Sequence, residues 1–401
     1  MMIRFLRPVF RSVWLASLFI AIVLSLCVWF LFPLFVTERF GAPFDPPRTR
    51  YIIIGVIWGI TLFFLLIVLI VRWRRNRKMT DEMTEASIDE EEDDDPASED
   101  LDEMRGKLRE AMAELRKSKS GRRQLRELPW YVMIGPPGAG KTTAIVNSGL
   151  QFPLADTMGK EAIGGVGGTR NCDWWFTDNA VLIDTAGRYT TQESDQETDN
   201  AAWTGFLGIL KKYRKRQPIN GAIVAISLSD LSLQDETTQQ NHAKAVRRRL
   251  NELREELGVR FPVYVLFTKA DLIAGFTEFF DTLGKEARGQ VWGFTFPLPG
   301  SKKKTEPPIA AFDAEFAALL ARLNSQLLER MQSEDDPGRR ALIQGFSSQL
   351  ASVRSVAKQF TDEVFQDNKY ERRHMLRGVY FTSGTQEGAP LDRLMMGMAR
   401  I

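Results

Sequence analysis

The stretch Gly135-Pro136-Pro137-Gly138-Ala139-Gly140-Lys141-Thr142-Thr143 constrains this chain more than any other. The short apolar run from Trp130 to Ile134 precedes it and reads as a buried strand, and a helical pattern follows. The spacing is G-x-x-x-x-G-K-[ST], set between a strand and a helix as that motif requires. Small residues let the backbone wrap tightly, so that successive N–H groups and the helix N-terminus point at one place and suit phosphate. At this spacing Lys141 reaches β and γ phosphates, and the Thr142 hydroxyl binds Mg²⁺. The expected fold class is therefore α/β.

The elements that follow narrow the class. Two apolar-aromatic runs, Cys172 to Thr177 and Ala180 to Ile183, are joined by Asp178-Asn179, a hairpin turn signal. The second run ends in Asp184-Thr185-Ala186-Gly187, where a carboxylate at a strand end can hold magnesium and Gly187 can offer its N–H to a γ phosphate. Further strands are expected from Ala222 to Leu228, from Pro262 to Phe267 ahead of Thr268-Lys269-Ala270-Asp271, and from Gly378 to Thr382 ahead of Ser383-Gly384. In this order the motifs resemble the Ras-like GTPases. The resemblance implies a P-loop, small-GTPase-like domain with a mostly parallel sheet and helices on both faces. It also implies that Asp271 accepts hydrogen bonds from a guanine edge, Lys269 lies along the base, and Ser383–Gly384 offers backbone N–H to it. Guanine is favoured over adenine only by Thr268 to Asp271, so GTP and ATP both stay open, with Mg²⁺ as the metal.

One position departs from that pattern. Ras-like enzymes carry glutamine after D-x-x-G to orient the attacking water, whereas here Arg188 and then Tyr189 follow. Arginine cannot act as a general base, though it can stabilise charge on a γ phosphate. Thr169, among Gly164, Gly165, Gly167 and Gly168, is the candidate switch threonine of the magnesium shell, with a plain flexible connector as the alternative. Lys141, Thr142, Arg188 and Thr169 are thus the catalytic candidates. Slow intrinsic hydrolysis is expected.

The N-terminal part has a different character. Ser12 to Val36 and Tyr51 to Val71 carry no charge, and a helix needs roughly 20 apolar residues to cross a hydrocarbon core. A cleaved signal peptide is the rival for the first run, but its apolar core exceeds the roughly 7–15 residues of such segments. Arg72, Arg74, Arg75, Arg77 and Lys78 follow the second run and mark the cytoplasmic side. The reading is a hairpin with spans 12–36 and 51–71, a periplasmic turn at 37–50 and a short cytoplasmic start at 1–11. The basic and then acidic stretch 72–100 reads as a linker, because the run Asp89 to Asp95 is all carboxylate and offers nothing to bury. Leu101, Met104, Leu108, Met112 and Leu115 have helical spacing, giving an amphipathic helix within 101–128.

The nucleotide domain is then expected over 129–284, with its last strand and base loop in 377–401. Residues 285–376 exceed what a Ras-like domain needs and read as a mainly helical subdomain, with a strand-like stretch from Val291 to Leu298. A net charge of +2 gives no pull toward nucleic acid, and none is expected as partner. Cys27 and Cys172, far apart in unlike contexts, argue against a disulfide scaffold and a zinc site.

A closer likeness covers nearly the whole chain. The hairpin, the charged spacer, the loop 135–143, Gly167-Gly168-Thr169-Arg170-Asn171-Cys172-Asp173-Trp174-Trp175-Phe176, Asp184 to Tyr189, and Phe381-Thr382-Ser383-Gly384-Thr385-Gln386-Glu387-Gly388 together resemble the TssM/IcmF family. Its members are inner-membrane components of bacterial type VI secretion systems. The resemblance implies a multi-pass inner-membrane protein with a cytoplasmic nucleotide-binding domain, and a longer chain whose N-terminal portion this is. It also implies partners: a TssL-type inner-membrane protein, a TssJ-type outer-membrane lipoprotein met through a periplasmic part beyond this sequence, and baseplate subunits. The bilayer and further copies of the chain complete the expected contacts. The rival reading is a structural scaffold whose P-loop is passive.

Overall fold

The computed structural model describes residues 13–30, 51–67, 96–117, 128–152, 172–191, 196–297, 308–366 and 373–384. The chain divides into two compact units, Met1–Asp89 and Glu90–Ile401.

The first unit contains helix α1, Val13–Phe30, and helix α2 over 51–67. The rings of Trp29 and Tyr51 meet at 5.6 Å, so the end of one helix lies beside the start of the other. Ala21 and Leu65 are buried, while Ile20, Ile22, Leu26, Phe30, Ile52, Ile60, Leu62 and Phe63 are exposed. The Ser25 and Thr61 hydroxyls donate to the carbonyls of Ala21 and Ile57 one turn back, which satisfies them within their own helices. The described helices are shorter than the expected spans 12–36 and 51–71, whose remaining residues lie outside the described ones. Among the described residues no helix is long and apolar enough to cross a membrane.

The second unit is built on a seven-stranded sheet. Its strands are β1 Trp130–Ile134, β2 Cys172–Phe176, β3 Val181–Thr185, β4 Gly221–Ser227, β5 Pro262–Thr268, β6 Gly293–Thr295 and β7 Met375–Phe381. They lie in the order β2-β3-β1-β4-β5-β7-β6. The five inner strands are parallel, and β2 and β6 join the two edges antiparallel. Strand β3 is buried at every position, as strands of a covered parallel sheet are. The mixed sheet with helices on both sides is the expected α/β architecture.

The helices of this unit are α3 Pro96–Lys117, α4 Lys141–Val146, α5 Arg188–Thr191, α6 Gln196–Tyr213, α7 Leu228–Leu233, α8 Glu236–Leu257, α9 Phe276–Phe280, α10 Lys285–Arg288, α11 Phe312–Gln332 and α12 Pro337–Phe365. Local signals set their ends. Asp235 caps α8 by accepting from the Thr238 amide, and Gly258 closes that helix at φ 64°. Asp336 caps α12 just ahead of Pro337, the helix position where a missing N–H costs least.

Two parts differ from the sequence expectation in extent. The amphipathic helix begins at Pro96, so the end of the acidic linker is helical and Asp100 belongs to an ordered surface. Proline at the start and carboxylates in the first turns suit a helix N-terminus. Second, the stretch 285–376 lies within the same compact unit as the sheet. It contributes β6 as an edge strand on β7, and its long helices α11 and α12 pack on each other and on β6, α8 and α9.

Helix α3 is part of the core. Met104, Leu108, Ala111 and Met112 are buried, and the helix packs on α6 and β2. A methyl on Gly205 of α6 would come within 2.4 Å of the Leu101 side chain, so the small residue lets the two helices approach. Leu108→Ala is therefore expected to lower the unfolding free energy of the 90–401 unit by about 2–5 kcal/mol in urea titration, as large-to-small core changes do. A loss below about 0.5 kcal/mol would mean that α3 only lies on the surface.

Candidate functional site

The glycine loop runs from the C-terminal end of β1 to the start of α4, at the sheet edge where β3, β4, β5 and β7 also end. Open parallel sheets bind ligands at this edge. The loop is held from three neighbours. A methyl on Gly135 would sit 2.0 Å from the Ala225 carbonyl oxygen of β4, so only glycine fits there. The Gly135 amide donates to Thr190 Oγ1 of α5 at 3.2 Å. On the far side, Thr268 Oγ1 at the end of β5 donates to the Ala139 carbonyl at 2.7 Å. Gly138 and Gly140 take φ of 72° and 76°, the left-handed conformation that favours glycine.

Lys141 opens α4 with its side chain folded into the loop. Its Nζ donates to the carbonyls of Gly135 at 2.8 Å and Pro136 at 3.2 Å, and the residue is 7% exposed. Burial lowers its pKa, and the nearby Asp184 carboxylate partly offsets this. Thr142 Oγ1 donates to Asp184 Oδ2 at 2.5 Å, so the two expected metal ligands stand side by side. Among the described residues no group of three or more His, Cys, Asp or Glu forms a metal cluster. Thr143 lies in the first turn of the same helix.

Gly187 sits against the loop itself. A methyl there would fall 2.3 Å from the Pro137 nitrogen and 2.8 Å from the Pro136 carbonyl carbon. Arg188 is committed elsewhere: it pairs with Asp100 of α3 at 2.7 Å and Asp199 of α6 at 3.5 Å. Cys172, at the head of β2 opposite Thr185, is fully buried in this neighbourhood. Burial pushes its thiol pKa well up, and the Asp184 and Asp173 carboxylates add to the rise.

The second half of the site lies past β5. The Ala270 amide donates to the Thr382 carbonyl at 3.1 Å, and the Thr382 amide to the Phe267 carbonyl at 2.9 Å. These bonds bring Ser383 and Gly384 beside Asp271. Burial raises the Asp271 pKa, against hydrogen bonds from the Gly384 amide and the Ser383 hydroxyl, while its Oδ1 is buried without a hydrogen-bond partner. Lys269 adopts φ 57°, and its ammonium pairs with Asp230 Oδ2 of α7 at 3.0 Å.

The structure thus gathers two groups of the expected residues, one around 135–143, 184 and 187 and one around 268–271 and 383–384, linked through Thr268. Arg188 stands beside the first group with its guanidinium turned to carboxylates. Thr169 lies outside the described residues. Sequence reasoning passed over Asp100, Thr190 and Asp230. The first was read as linker acid, and the other two belong to no motif. Cys172 was noted only as a thiol without a pattern.

The class defined by this geometry is an α/β protein with a glycine loop and a lysine at the carboxyl edge of a largely parallel sheet. The profile of the IcmF-related N-terminal domain matches residues 196–401. The type VI secretion system component TssM1 of Pseudomonas aeruginosa is 58% identical over 306 residues, which are 76% of this chain and 28% of that protein. The chain belongs to the IcmF-related family of TssM/IcmF proteins, and spans little more than a quarter of that relative's length. Among solved structures, the signal recognition particle receptor SRb-GTP/SRX complex from Chaetomium thermophilum aligns at 19% identity and a TM-score of 0.24. It covers 36% of this chain and 70% of the other, and at that score it carries no argument.

Two glycines of the site test its packing. Gly138→Ala meets no atom within 4 Å and pays only for its left-handed φ, about 1–2 kcal/mol. Gly187→Ala meets loop backbone and should cost clearly more in chemical unfolding. Equal costs would show that residue 187 does not pack on Pro136 and Pro137.

Proposed function

We propose that this chain is a membrane-anchored nucleoside triphosphate-binding module of a type VI secretion assembly, with slow turnover. The observation that carries the reading is the desolvated Lys141 ammonium, whose described partners are two loop carbonyls. A buried cation whose hydrogen bonds go to carbonyl dipoles, with the Asp184 carboxylate offsetting only part of its desolvation, attracts an anion strongly, because the surrounding dielectric is low.

The residues present fit a triphosphate with Mg²⁺. The amides of 135–143 and the N-terminus of α4 would cradle phosphate, Lys141 would neutralise the β and γ groups, and Thr142 with Asp184 would hold the metal. Thr169 would complete the metal shell and Gly187 would face the γ phosphate. When bound, magnesium supplies charge neutralisation across the phosphates. Asp271, with Ser383 and Gly384, would take the base. Its buried, unfilled carboxylate oxygen favours guanine, which offers paired N–H donors, over adenine. Arg188, held by two carboxylates, is no substitute for a water-orienting glutamine, which supports slow hydrolysis.

The exposed apolar side chains of α1 and α2 support an anchor in the inner membrane, since apolar patches of that extent call for a partner surface or lipid. Family membership supports assembly with a TssL-type inner-membrane protein, a TssJ-type lipoprotein, baseplate subunits and further copies of the chain.

Equilibrium titration with fluorescent GTP and ATP in Mg²⁺ tests the site. Lys141→Ala should abolish binding with little change in the melting temperature of the ligand-free protein. Asp271→Asn should weaken GTP by about 1–3 kcal/mol and leave ATP unchanged. If Lys141→Ala binds as wild type does, the loop is a passive element of a scaffold. If Asp271→Asn affects both nucleotides alike, the base is not read as guanine.

A further inference from the structure

Helix α3 makes two charged contacts seven residues apart, one to the start of α5, whose Thr190 bonds the glycine loop, and one to the edge strand β2. Asp100 pairs with Arg188, which follows β3, and Lys107 Nζ lies 3.4 Å from Asp173 of β2. Asp173 is in turn paired in register with Asp184. Beside these contacts Met104 and Leu108 are fully buried, so the helix is seated by its apolar side and registered by its charges.

Arg188 is the centre of this arrangement. Its guanidinium takes Asp100 at 2.7 Å and Asp199 at 3.5 Å and lies 5.2 Å from the Tyr189 ring centre. Tyr189 contacts Trp203, and the Arg249 guanidinium lies over the other ring of that pair at 5.4 Å. Arg249 is 1% exposed, donates to Glu252 through Nη1, and has Nε and Nη2 buried without hydrogen-bond partners. Asp199, itself 1% exposed, is close enough to act on Arg249 electrostatically. A carboxylate between two arginines is not stranded when one of them leaves. Departure of Arg188 therefore costs less than breaking an isolated buried pair, which is what a two-state element requires. Gly187 packs its backbone against Pro136 and Pro137, which places residue 188 one peptide from the loop.

We infer that Asp100 is a positioning residue that latches Arg188 away from the glycine loop, so that filling the loop with triphosphate and loosening the N-terminal half of α3 are one coupled event. The inference rests on the triphosphate reading above. Through it, helix α3 senses the state of the nucleotide site.

The test uses the full 401-residue chain in detergent micelles, with the non-hydrolysable analogue GMPPNP and Mg²⁺ as probe. Asp100→Asn should bind the probe at least about fivefold more tightly, the lower end of ordinary coupling between sites. Asp100→Glu should restore wild-type affinity. Asp102→Asn, on the same helix and paired with exposed Arg105, should leave it unchanged. Asp100→Asn combined with Arg188→Gln should bind no more tightly than Arg188→Gln alone. Hydrogen exchange across 96–117 should rise when wild type takes up the probe, and should already be raised in probe-free Asp100→Asn. A mere packing role for Asp100 would raise exchange but leave probe affinity where it was, and that result overturns the latch. Weaker binding by Asp100→Asn also overturns it, since Asp100 would then aim Arg188 at the phosphates. Wild type that binds the probe no better than Lys141→Ala sinks the triphosphate reading and the latch with it.

Discussion

The arrangement of the Glu90–Ile401 unit depends on one crowded contact, the backbone of Pro136 and Pro137 against the backbone of Gly187. A single methyl at 187 would stand 2.3 Å from Pro137. The contact ties the end of β1 to the end of β3. With Gly135 pressed on Ala225 and Thr268 donating to Ala139, it spreads the loop across four parallel strands. A loop fixed from that many sides presents its amides in a set direction, and such preorganisation is what makes weak dipoles effective.

The elements that carry this loop were legible because each obeys a local rule. The run from Trp130 to Ile134 is short, apolar and followed by glycine, and it forms β1 with those bounds. Cys172 to Phe176 and Val181 to Thr185 flank an Asp-Asn turn and pair antiparallel as that turn requires. The stretch around Val291 to Leu298 showed its aromatic strand character, and Gly293–Thr295 forms the edge strand β6. What sequence could not supply is the set of partners that come from distant elements. Asp100 sits in a run of acids whose local reading is repulsion and solvation, and its value depends on an arginine 88 positions away. Asp230 lies in no motif, and it matters because β4 and β5 are neighbours and their ends bring it to Lys269.

Lys269 shows how such a distant partner stabilises strained backbone. A lysine at φ 57° is in a region that costs L-residues roughly 1–2 kcal/mol. The ion pair with Asp230, half-exposed on one side, offsets part of that at most, because exposed pairs contribute about 1 kcal/mol or less. The remaining support comes from the backbone bonds of Ala270 and Thr382, which lock the segment to the end of β7. Strain held in this way is typical of positions that face ligands.

The same reasoning separates the two lysines of the site. Lys269 has a carboxylate and some contact with water, so its charge is answered within the protein. Lys141 is buried to a greater depth and is answered by carbonyl dipoles, with the Asp184 charge already engaged by the Thr142 hydroxyl. Burial lowers the Lys141 pKa, and an incoming polyanion reverses that shift by favouring the charged ammonium. Anion binding at the loop should therefore take up protons wherever ligand-free Lys141 is partly neutral. Within that same range the affinity falls with rising pH, because the ammonium must be reprotonated before it can hold a phosphate.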